Sequence, residues 1–518
     1  MTGTAHRPPG AAMLFIVLAV ASGAAAETGK VKQVPLTSLG KASIRISFGG
    51  TIKLTGTTKS LTYSQPLPAE DGSQSISSLT VAPSPGLAHE LIEDAESRSM
   101  KLTWTDPPAG EIEYAIEVMV DRRAFDHPIA SPKKGSFKKF LKSGALTKPD
   151  AAIKKQAKEL AQGSSSDLET ILRLARWINE NITYDRDYSQ NKVDKKVPSV
   201  MAAMRGTCDE LSHLFIAMAR SVSIPAREVS GLAFTGEVWG FHSWSEVRLG
   251  DAWVPVDATN FQVGFVDATH VAFARHGDDA KFEQHIESLG TGMFSVLDHD
   301  MDVRIMKAST AADMLKAEMI FEPETVPPGL GFKARLVLEN PSNSWFAGPA
   351  RLVVPAQFEV TEDVIATYVL APGAHETIEW SVATPQTLDQ GATYWYRMGA
   401  VLFPHQVAAS KLTVAAGLID EVAAFQDAGG SAVVALGIKN PLGESHPATV
   451  EICMYDSWEL EGEPLCQTGE SEVAAGDVEK LEFETTFAIT GNFAIAVKAA
   501  LGGLVDERIH KVNVSASP

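Results

Sequence analysis

The sequence predicts a multidomain α+β protein in which a helix-containing core is flanked on both sides by β-rich segments. Three observations lead to this prediction. The chain has 518 residues, which is too long for one hydrophobic core. Amphipathic helical patterns are confined to about residues 135–310, whereas polar and apolar residues alternate before and after them. The last third of the chain also repeats a strand pattern.

The first 26 residues have the pattern of a secretory signal peptide. Arg7 precedes an apolar run over residues 11–20, and three alanines at 24–26 form a small-residue cleavage site. The run is short for a bilayer crossing, although a retained N-terminal anchor is the alternative. No later segment is long and apolar enough for a second span, and no cysteine follows the run as in a bacterial lipoprotein. We therefore expect a secreted or periplasmic protein with no transmembrane segment after cleavage of residues 1–26.

Residues 27–130 are predicted to form an N-terminal β-sandwich, because apolar residues alternate with polar ones around Ile44 and Ile116. Helical patterns belong to the next predicted domain, residues 131–312. There Ser166 and Glu169 have the spacing of a capping box. The helix that they open has an apolar face of Leu168, Ile171, Leu172, Ala175 and Ile178. Residues 186–196 are polar and lysine-rich, which predicts a solvated loop or a mobile flap.

The segment around Cys208 predicts a thiol at the start of a further helix. Thr207 and Glu210 have capping-box spacing, which makes Cys208 the first helical residue. The helix dipole and the free amides at this position favour a thiolate and can stabilise an oxyanion. On residue type alone, a small buried cysteine is the alternative. The apolar stripe behind it ends before Ile224-Pro225 and contains Leu211, Leu214, Phe215, Met218, Ala219 and Val222.

Two predicted strands flank Gly250-Asp251, a pair typical of a type II′ hairpin turn. In the register that this turn sets, Trp244 faces Asp257. His242 and Asp257 are then diagonal neighbours on one face, roughly 7–8 Å apart at the backbone. An aspartate that binds one imidazole nitrogen leaves the other nitrogen for a thiol proton, which is the division of labour in acyl transfer. Local spacing does not predict that Cys208 meets this pair.

These motifs resemble, in their order, the core of the transglutaminase-like superfamily of papain-related thiol enzymes. The residues that match are Gly206 and Cys208, then His242, Trp244, Glu246 and Val247, then Trp253, Asp257 and Thr259. Residues 223–227 are similar to the family's GIPAR segment, and residues 177–185 are similar to its lead-in helix. The likeness covers roughly residues 150–300. Two departures are Ala258, where relatives often have Pro, and Thr207, where the animal cross-linking enzymes have Gln.

The resemblance implies a papain-like transglutaminase core with a catalytic triad. Cys208 would be the nucleophile, His242 the general base and acid, and Asp257 the residue that orients His242. Because of Thr207, the substrate chemistry of the animal enzymes is not carried over. Trp244 and Trp253 are candidate substrate-binding residues, with strand packing as the alternative.

Other readings of these side chains remain open. Cysteine, histidine and aspartate can all bind zinc, but no fourth ligand stands at a metal-binding spacing. His213 and Asp209, on the same helix as Cys208, are possible accessory groups. The alternatives for them are a helix-face histidine and an acid in the first helical turn that the dipole stabilises.

The C-terminal third predicts two tandem immunoglobulin-like β-sandwiches, at residues 316–415 and 416–518. Residues 336–341 and 436–441 are each a strand pattern followed by Asn-Pro, at an offset of about one such domain. An N-terminal sandwich, a core and two C-terminal β domains are also similar to the layout of animal transglutaminases.

The three cysteines fit an oxidising compartment. Cys453 and Cys466 lie in a β-rich region and are candidates for a disulfide, with two reduced core cysteines as the alternative. Cys208 is then the remaining thiol, either buried and inert or kept for chemistry.

The composition of the chain limits the classes of partner that it is expected to bind. The chain has 64 acidic and 45 basic side chains, a net charge of −19, which disfavours nucleic acid or an anionic membrane as a partner. No cofactor and no metal site is predicted. A calcium requirement is left open, since acidic loops such as residues 277–279 can supply oxygens, but no EF-hand spacing occurs.

The sequence therefore predicts a secreted thiol enzyme that acts on peptide or carboxamide bonds of a protein or peptide through a thioester acyl-enzyme. Water as the acceptor would make it a peptidase or amidase, and an amine would make it a transglutaminase. The absence of the animal-type loop before Cys208 slightly favours hydrolysis. The C-terminal sandwiches are candidates for recruitment to a surface. The alternative class is a non-catalytic binding or adhesion protein that keeps the core as a scaffold.

Overall fold

A computed structural model gives the fold of most of the chain. It describes residues 39–94, 97–124, 129–191, 194–234, 238–276, 284–310, 313–385, 394–402, 406–414, 417–426, 432–455, 460, 463–485, 491–502 and 504–514. The predicted signal peptide and the acidic loop at 277–279 lie outside these residues. Within them, no helix has the length and apolar character that a membrane crossing requires.

The helices and strands follow in chain order. The first strands are β1 (Leu39–Thr55), β2 (Thr58–Leu67), β3 (Gln74–Val81), β4 (Leu87–Glu93), β5 (Arg98–Thr105) and β6 (Gly110–Arg123). A 3₁₀ helix (Lys138–Leu141) precedes α1 (Ala151–Ala161), α2 (Asp167–Asn181), β7 (Thr183–Tyr184), α3 (Arg186–Asn191), α4 (Val197–Ala203), β8 (Arg205–Gly206) and α5 (Cys208–Ser221). Next come β9 (Ala226–Phe234), β10 (Trp239–Leu249), β11 (Ala252–Asp257), β12 (Gln262–Val263), β13 (Val271–His276), β14 (His285–Gly290) and β15 (Met293–Thr310).

The C-terminal third contains only strands among its described residues. They are β16 (Lys316–Glu322), β17 (Thr325–Val326), β18 (Gly331–Glu339), β19 (Phe346–Val353), β20 (Glu359–Val360), β21 (Ile365–Leu370), β22 (His375–Ala383), β23 (Tyr394–Leu402), β24 (Gln406–Val414), β25 (Ile419–Gln426), β26 (Ala432–Lys439), β27 (His446–Tyr455), β28 (Leu465–Val473), β29 (Val478–Thr485), β30 (Gly491–Leu501) and β31 (Leu504–Val514).

Two four-stranded sheets form the N-terminal β unit, with strand orders β15-β1-β6-β3 and β14-β2-β5-β4. The apolar residues of the predicted alternation, including Ile44 and Ile116, are buried in one shared core. Residues 285–310 fall within the segment 131–312 that the sequence assigns to the core domain, yet β14 pairs with β2 and β15 pairs with β1. The physical reason is alternation in β15, where Met301, Val303 and Ile305 pack against this N-terminal core.

The middle of the chain contains a five-stranded sheet in the order β12-β11-β10-β9-β13. Helices α1, α2, α4 and α5 share a hydrophobic core with it. The predicted apolar faces of α2 and α5 are buried there, and α5 is buried nearly all round, which a one-sided stripe does not predict. Residues 186–191, expected to be a loop or flap, instead form the short helix α3, because Asp185 Oδ1 caps it by accepting from Tyr188 N at 2.9 Å.

The C-terminal units share one strand order, to which the first unit adds β17 and β20 at sheet edges. The first contains the sheets β16-β18-β22-β20 and β17-β24-β23-β19-β21, and the second contains β25-β26-β29 and β28-β27-β30-β31. In each unit the two sheets share one core. The repeated asparagines Asn340 and Asn440 are fully buried, and each donates its amide to backbone carbonyls of the adjoining turn. The immunoglobulin-like assignment and the domain boundaries stay predictions.

Cys453 and Cys466 face each other in the β27–β28 pairing and form a disulfide.

Candidate active site

Cys208 is the first residue of α5, where the predicted cap is present. The Glu210 carboxylate accepts from the Thr207 N–H at 2.9 Å, which closes the capping box. Gly206 is required beside it, because a Cβ at that position would lie 2.9 Å from the Glu210 Cβ. The sequence G-T-C therefore places the thiol at the positive end of a helix whose first turn is held in place.

The β10–β11 hairpin has the predicted register. Leu249 pairs with Ala252 across a turn in which Gly250 has a φ of 53°, as a type II′ turn requires. As a result His242 and Asp257 meet, and His242 Nε2 lies 2.9 Å from Asp257 Oδ2. Asp257 is completely buried.

The Asp257 carboxylate is also held by its own loop. Its Oδ1 accepts from the backbone N–H groups of Thr259 at 2.9 Å and Asn260 at 3.2 Å. Its Oδ2 accepts from Asn260 Nδ2 at 2.7 Å. Burial alone would raise the pKa of Asp257, but His242 and the other donors hold it well below its usual range. Asp257 is therefore a fixed anion.

Cys208 lies close enough to His242 for its thiol to raise the pKa of the imidazole. Asp257 occupies Nε2, which leaves Nδ1 as the nitrogen available to the thiol. Burial disfavours the charged form of His242, but the charge and hydrogen bond of Asp257, together with Cys208, raise its pKa to about 9. At neutral pH His242 is therefore protonated beside Cys208, an arrangement that favours a thiolate–imidazolium pair.

Tyr184 is a further neighbour of Cys208 that sequence reasoning passed over. β7 and β8 pair in parallel with Tyr184 opposite Gly206, which brings the phenol to the helix start. The Tyr184 hydroxyl lies close enough to Cys208 to be affected by its charge. Burial and the charge of Cys208 raise the pKa of Tyr184 to about 12, so the hydroxyl stays a donor at working pH. The available signal was the Tyr184-Asp185 ending of the lead-in helix.

His270 is a second histidine on the same carboxylate. Its Nε2 lies 3.2 Å from Asp257 Oδ2, and its Nδ1 lies 3.4 Å from Asp267 Oδ2. Burial disfavours the charged form of His270, but Asp267 and Asp257 outweigh it and raise its pKa to about 9. Sequence reasoning missed this residue, although residues 256–259 and 266–269 both read V-D-A-T. In both turns the aspartate Oδ1 accepts from the threonine N–H.

His242, Asp257 and His270 could together hold a metal ion, since one ligand atom from each lies within 4.8 Å of the others. Two imidazoles and a carboxylate suit a transition metal. Both Nε2 atoms, however, already lie within hydrogen-bonding distance of Asp257.

The two candidate substrate-binding tryptophans are packed side chains. Trp244 is 1% exposed, stacks on His242 with ring centroids 6.1 Å apart, and meets His270 edge-on at 5.2 Å. The Trp253 ring lies under the Arg227 guanidinium, 4.1 Å from its centroid. Both border a cavity of about 700 Å³ that neither Cys208 nor His242 lines. Their positions match the packing alternative, with Trp244 supporting both imidazoles.

Of the two candidate accessory residues, Asp209 lies in the site and His213 does not. Asp209 Oδ1 lies 3.3 Å from Cys208 Sγ, within the site. His213 instead pairs with Glu228 at 2.9 Å inside the core.

Comparison with known proteins confirms the resemblance that the motifs indicated. Residues 154–258 match the family model of the transglutaminase-like superfamily. The chain therefore contains a transglutaminase-like core within a mostly β, multidomain protein, and the superfamily relates it to cysteine proteases and transglutaminases.

One related sequence and two solved structures are examples of the proteins to which this chain is similar. The mouse (Mus musculus) kyphoscoliosis peptidase is 28% identical over 149 residues, which cover 26% of this chain and 22% of the mouse protein. The structure of a candidate cysteine protease from Cytophaga hutchinsonii is 19% identical and covers 53% of this chain and 94% of its own, with a TM-score of 0.40. The red sea bream transglutaminase structure is 8% identical, covers 88% of this chain and 92% of its own, and has a TM-score of 0.26.

Proposed function

We propose that this protein is a thiol acyl-transfer enzyme that hydrolyses peptide or carboxamide bonds of an exported protein or peptide substrate. The observation that carries the proposal is the position of Cys208 beside His242, whose Nε2 lies 2.9 Å from the buried Asp257 carboxylate. A buried cysteine without a function would not need an imidazole whose other nitrogen is fixed by a buried carboxylate.

The chemistry follows from the roles of these three groups. The Cys208 thiolate attacks the carbonyl carbon, a C–S bond forms, and the π electron pair moves to the carbonyl oxygen. When this intermediate collapses, the C–N bond breaks and the leaving amine takes the Nδ1 proton of His242. A thioester remains. Neutral His242 then accepts a proton from water as the water attacks, the C–S bond breaks, and the acid and the thiolate–imidazolium pair are released.

Two donors are available for the oxyanion. The backbone N–H of Cys208 stands at the first helical position and has no intrahelical acceptor. The Tyr184 hydroxyl, which lies beside Cys208 in the free protein, can turn to the developing charge when the thiolate is consumed. We assign the second oxyanion donor to Tyr184.

Access of water favours hydrolysis over transamidation. Tyr184 is 40% exposed although it borders the thiol, so solvent reaches the edge of the site. Transamidation requires that water be kept from the thioester long enough for an amine to react. Cys208 itself is 7% exposed, and we take the exposed edge at Tyr184 as the route by which water reaches the thioester, so we assign water as the principal acceptor. Export of the enzyme rests on the signal-peptide pattern at residues 1–26.

Labelling of the thiol tests the proposal. The mature chain, residues 27–518, is incubated with iodoacetamide from pH 5 to 9, beside Cys208→Ala and His242→Ala. We expect Cys208 to be alkylated well below pH 8 in the parent and at a much reduced rate in His242→Ala. Cys208→Ala should lose both labelling and turnover of a peptide substrate, and an added amine should form little conjugate. Equal labelling of the parent and His242→Ala would make Cys208 structural and favour the binding-protein alternative.

A further inference from the structure

The chain is acidic as a whole, yet one surface of its core is strongly basic. Residues 131–160 contain nine lysines, two acidic residues and no arginine, which leaves 36 basic and 62 acidic side chains elsewhere. All nine lysines are exposed. We call them the lysine face: Lys133, Lys134, Lys138, Lys139, Lys142, Lys148, Lys154, Lys155 and Lys158. The net charge of −19 therefore conceals a local cationic surface.

Two residues of the lysine face, Lys133 and Lys134, lie at the end of α5 that is remote from Cys208. Lys134 Nζ donates to the carbonyl of Val222, the C-cap of α5, at 3.3 Å. The backbone of Lys133 accepts from Gly250 N at 2.8 Å, beside the β10–β11 turn. Because α5 has 14 residues, these two lysines and the thiol are about 20 Å apart along the helix. A partner on this face leaves the catalytic cleft uncovered.

Apolar side chains stand among these charges. Phe137 and Leu141 are 39% and 36% exposed on either side of the 3₁₀ helix, next to Lys138, Lys139 and Lys142. Phe137 is held by stacking on the buried Phe140, with ring centroids 5.3 Å apart. A phenylalanine and a leucine surrounded by lysines are typical of segments that bind at the boundary between lipid headgroups and acyl chains.

The presence of lysine at all nine positions further limits the chemical classes of partner that this face suits. Arginine is the side chain suited to bidentate recognition of individual phosphates and of nucleic acid, whereas lysine acts as a hydrated point charge. The nearby Arg248 is engaged with the rings of Phe137 and Trp253, 5.9 and 5.6 Å from their centroids, so the nine lysines provide diffuse attraction to a charged surface. A soluble polyanion would not need the exposed Phe137 and Leu141.

We propose that the lysine face docks this protein on an anionic phospholipid surface, with Phe137 and Leu141 entering the headgroup layer and the Cys208 cleft directed away from the bilayer. The docked protein would act on substrates in the aqueous phase near the membrane. The docking itself does not depend on the proposed chemistry, whereas action on substrates near the membrane rests on the proposed function.

Vesicle co-sedimentation of the mature chain, residues 27–518, tests the proposal. The protein is mixed with vesicles of phosphatidylcholine alone or with 30% phosphatidylglycerol, chosen as about one third anionic lipid. The test variant is Lys133→Glu, Lys138→Glu and Lys142→Glu combined, which spares the bonded Lys134 and the ring contact of Lys139. The matched control, Lys53→Glu, Lys59→Glu and Lys480→Glu, makes the same charge change at exposed lysines elsewhere.

We expect binding that needs phosphatidylglycerol, weakens with salt, and falls at least about tenfold in the test variant but little in the control. Leu141→Ser should weaken vesicle binding and leave binding to soluble heparin unchanged. Equal binding by the test and control variants would overturn the docking face. Binding to heparin without vesicle binding would make the face a polyanion site and overturn the lipid assignment.

Discussion

The core contains two buried imidazole–carboxylate pairs with the same separation, and only one of them adjoins the thiol. His242 and Asp257 are 2.9 Å apart, as are His213 and Glu228. The first pair has Cys208 beside its imidazole. The second is enclosed between α5 and β9. Geometry within a pair therefore does not define a catalytic site, whereas the neighbour of the imidazole does, since the His242 and His213 side chains are similarly buried, at 10% and 8% exposure.

The two pairs also differ in how the acid is held. Asp257 lies in a turn that supplies two backbone N–H donors and the Asn260 amide. For Glu228, burial raises the pKa, and His213 is the main group that lowers it. A carboxylate fixed by its own turn can orient an imidazole through a reaction cycle. A carboxylate fixed mainly by one imidazole serves to bind two elements together.

The largest effect on turnover should come from Asp257→Asn. The variant removes the negative charge that stabilises the His242 imidazolium, so the pKa of His242 falls and the thiolate loses its counter-ion. By comparison with triads of the same design, we expect kcat to fall about 10²- to 10⁴-fold. Steady-state turnover of a peptide substrate measures this, with circular dichroism as the control for folding. A loss smaller than fivefold would remove the catalytic role of the His242–Asp257 pair.

Tyr184→Phe should have the next largest effect. It removes a hydroxyl donor and keeps the ring, so kcat should fall about 10- to 100-fold while iodoacetamide labelling of Cys208 persists. Single-turnover acylation separates this from a loss of binding. If labelling disappears together with turnover, Tyr184 maintains the thiol and is not an oxyanion donor.

His270 should shift the pH above which activity declines, a limit that the pKa of His242 sets. His242 must be protonated, so activity should hold below its pKa of about 9 and decline as the pH rises through that value. His270→Gln keeps an amide donor for Asp257 but removes a cation, which should stabilise the His242 imidazolium and move the limit upward, with less than about threefold loss in kcat. His270→Ala should cost about tenfold. The measurement is the pH profile of kcat for the parent protein, His270→Gln and His270→Ala. Identical alkaline limits in all three would mean that His270 has only a structural role.

Glu228→Gln should leave catalysis nearly unchanged and affect stability instead. Breaking one side of a buried pair leaves the other uncompensated, so the free energy of unfolding should fall by about 3 kcal/mol. Denaturant unfolding and turnover are measured on the same preparation. A loss of turnover like that of Asp257→Asn would mean that the two pairs are coupled and would break the comparison.

Local rules predicted much of this site from the sequence. Capping chemistry placed Cys208 at a helix start, and a Gly-Asp turn set the register that joins His242 to Asp257. Both depend on residues within a few positions of each other, so local preferences decide them. That Cys208 faces His242 depends on packing between α5 and β10, and only the family resemblance supplied it.

Long-range pairing accounts for most of what was missed. Tyr184 reaches Cys208 through a two-residue parallel pairing, and His270 reaches Asp257 from a separate loop. Neither leaves a periodic pattern. In the same way, nothing local in residues 285–310 indicates that their partners are strands more than 200 residues earlier. Local preference identifies such strands but not their neighbours.

That return of β14 and β15 to the N-terminal sheets constrains the order in which the molecule can be assembled. β1 pairs with β15 along nearly its whole length, so until residue 310 has emerged this 17-residue strand keeps one edge open. The entire transglutaminase-like core must be synthesised in the interval. The growing chain is thus most exposed to aggregation before residue 310 has been synthesised, and a truncation just before residue 285 would release a core whose neighbouring sheets cannot close.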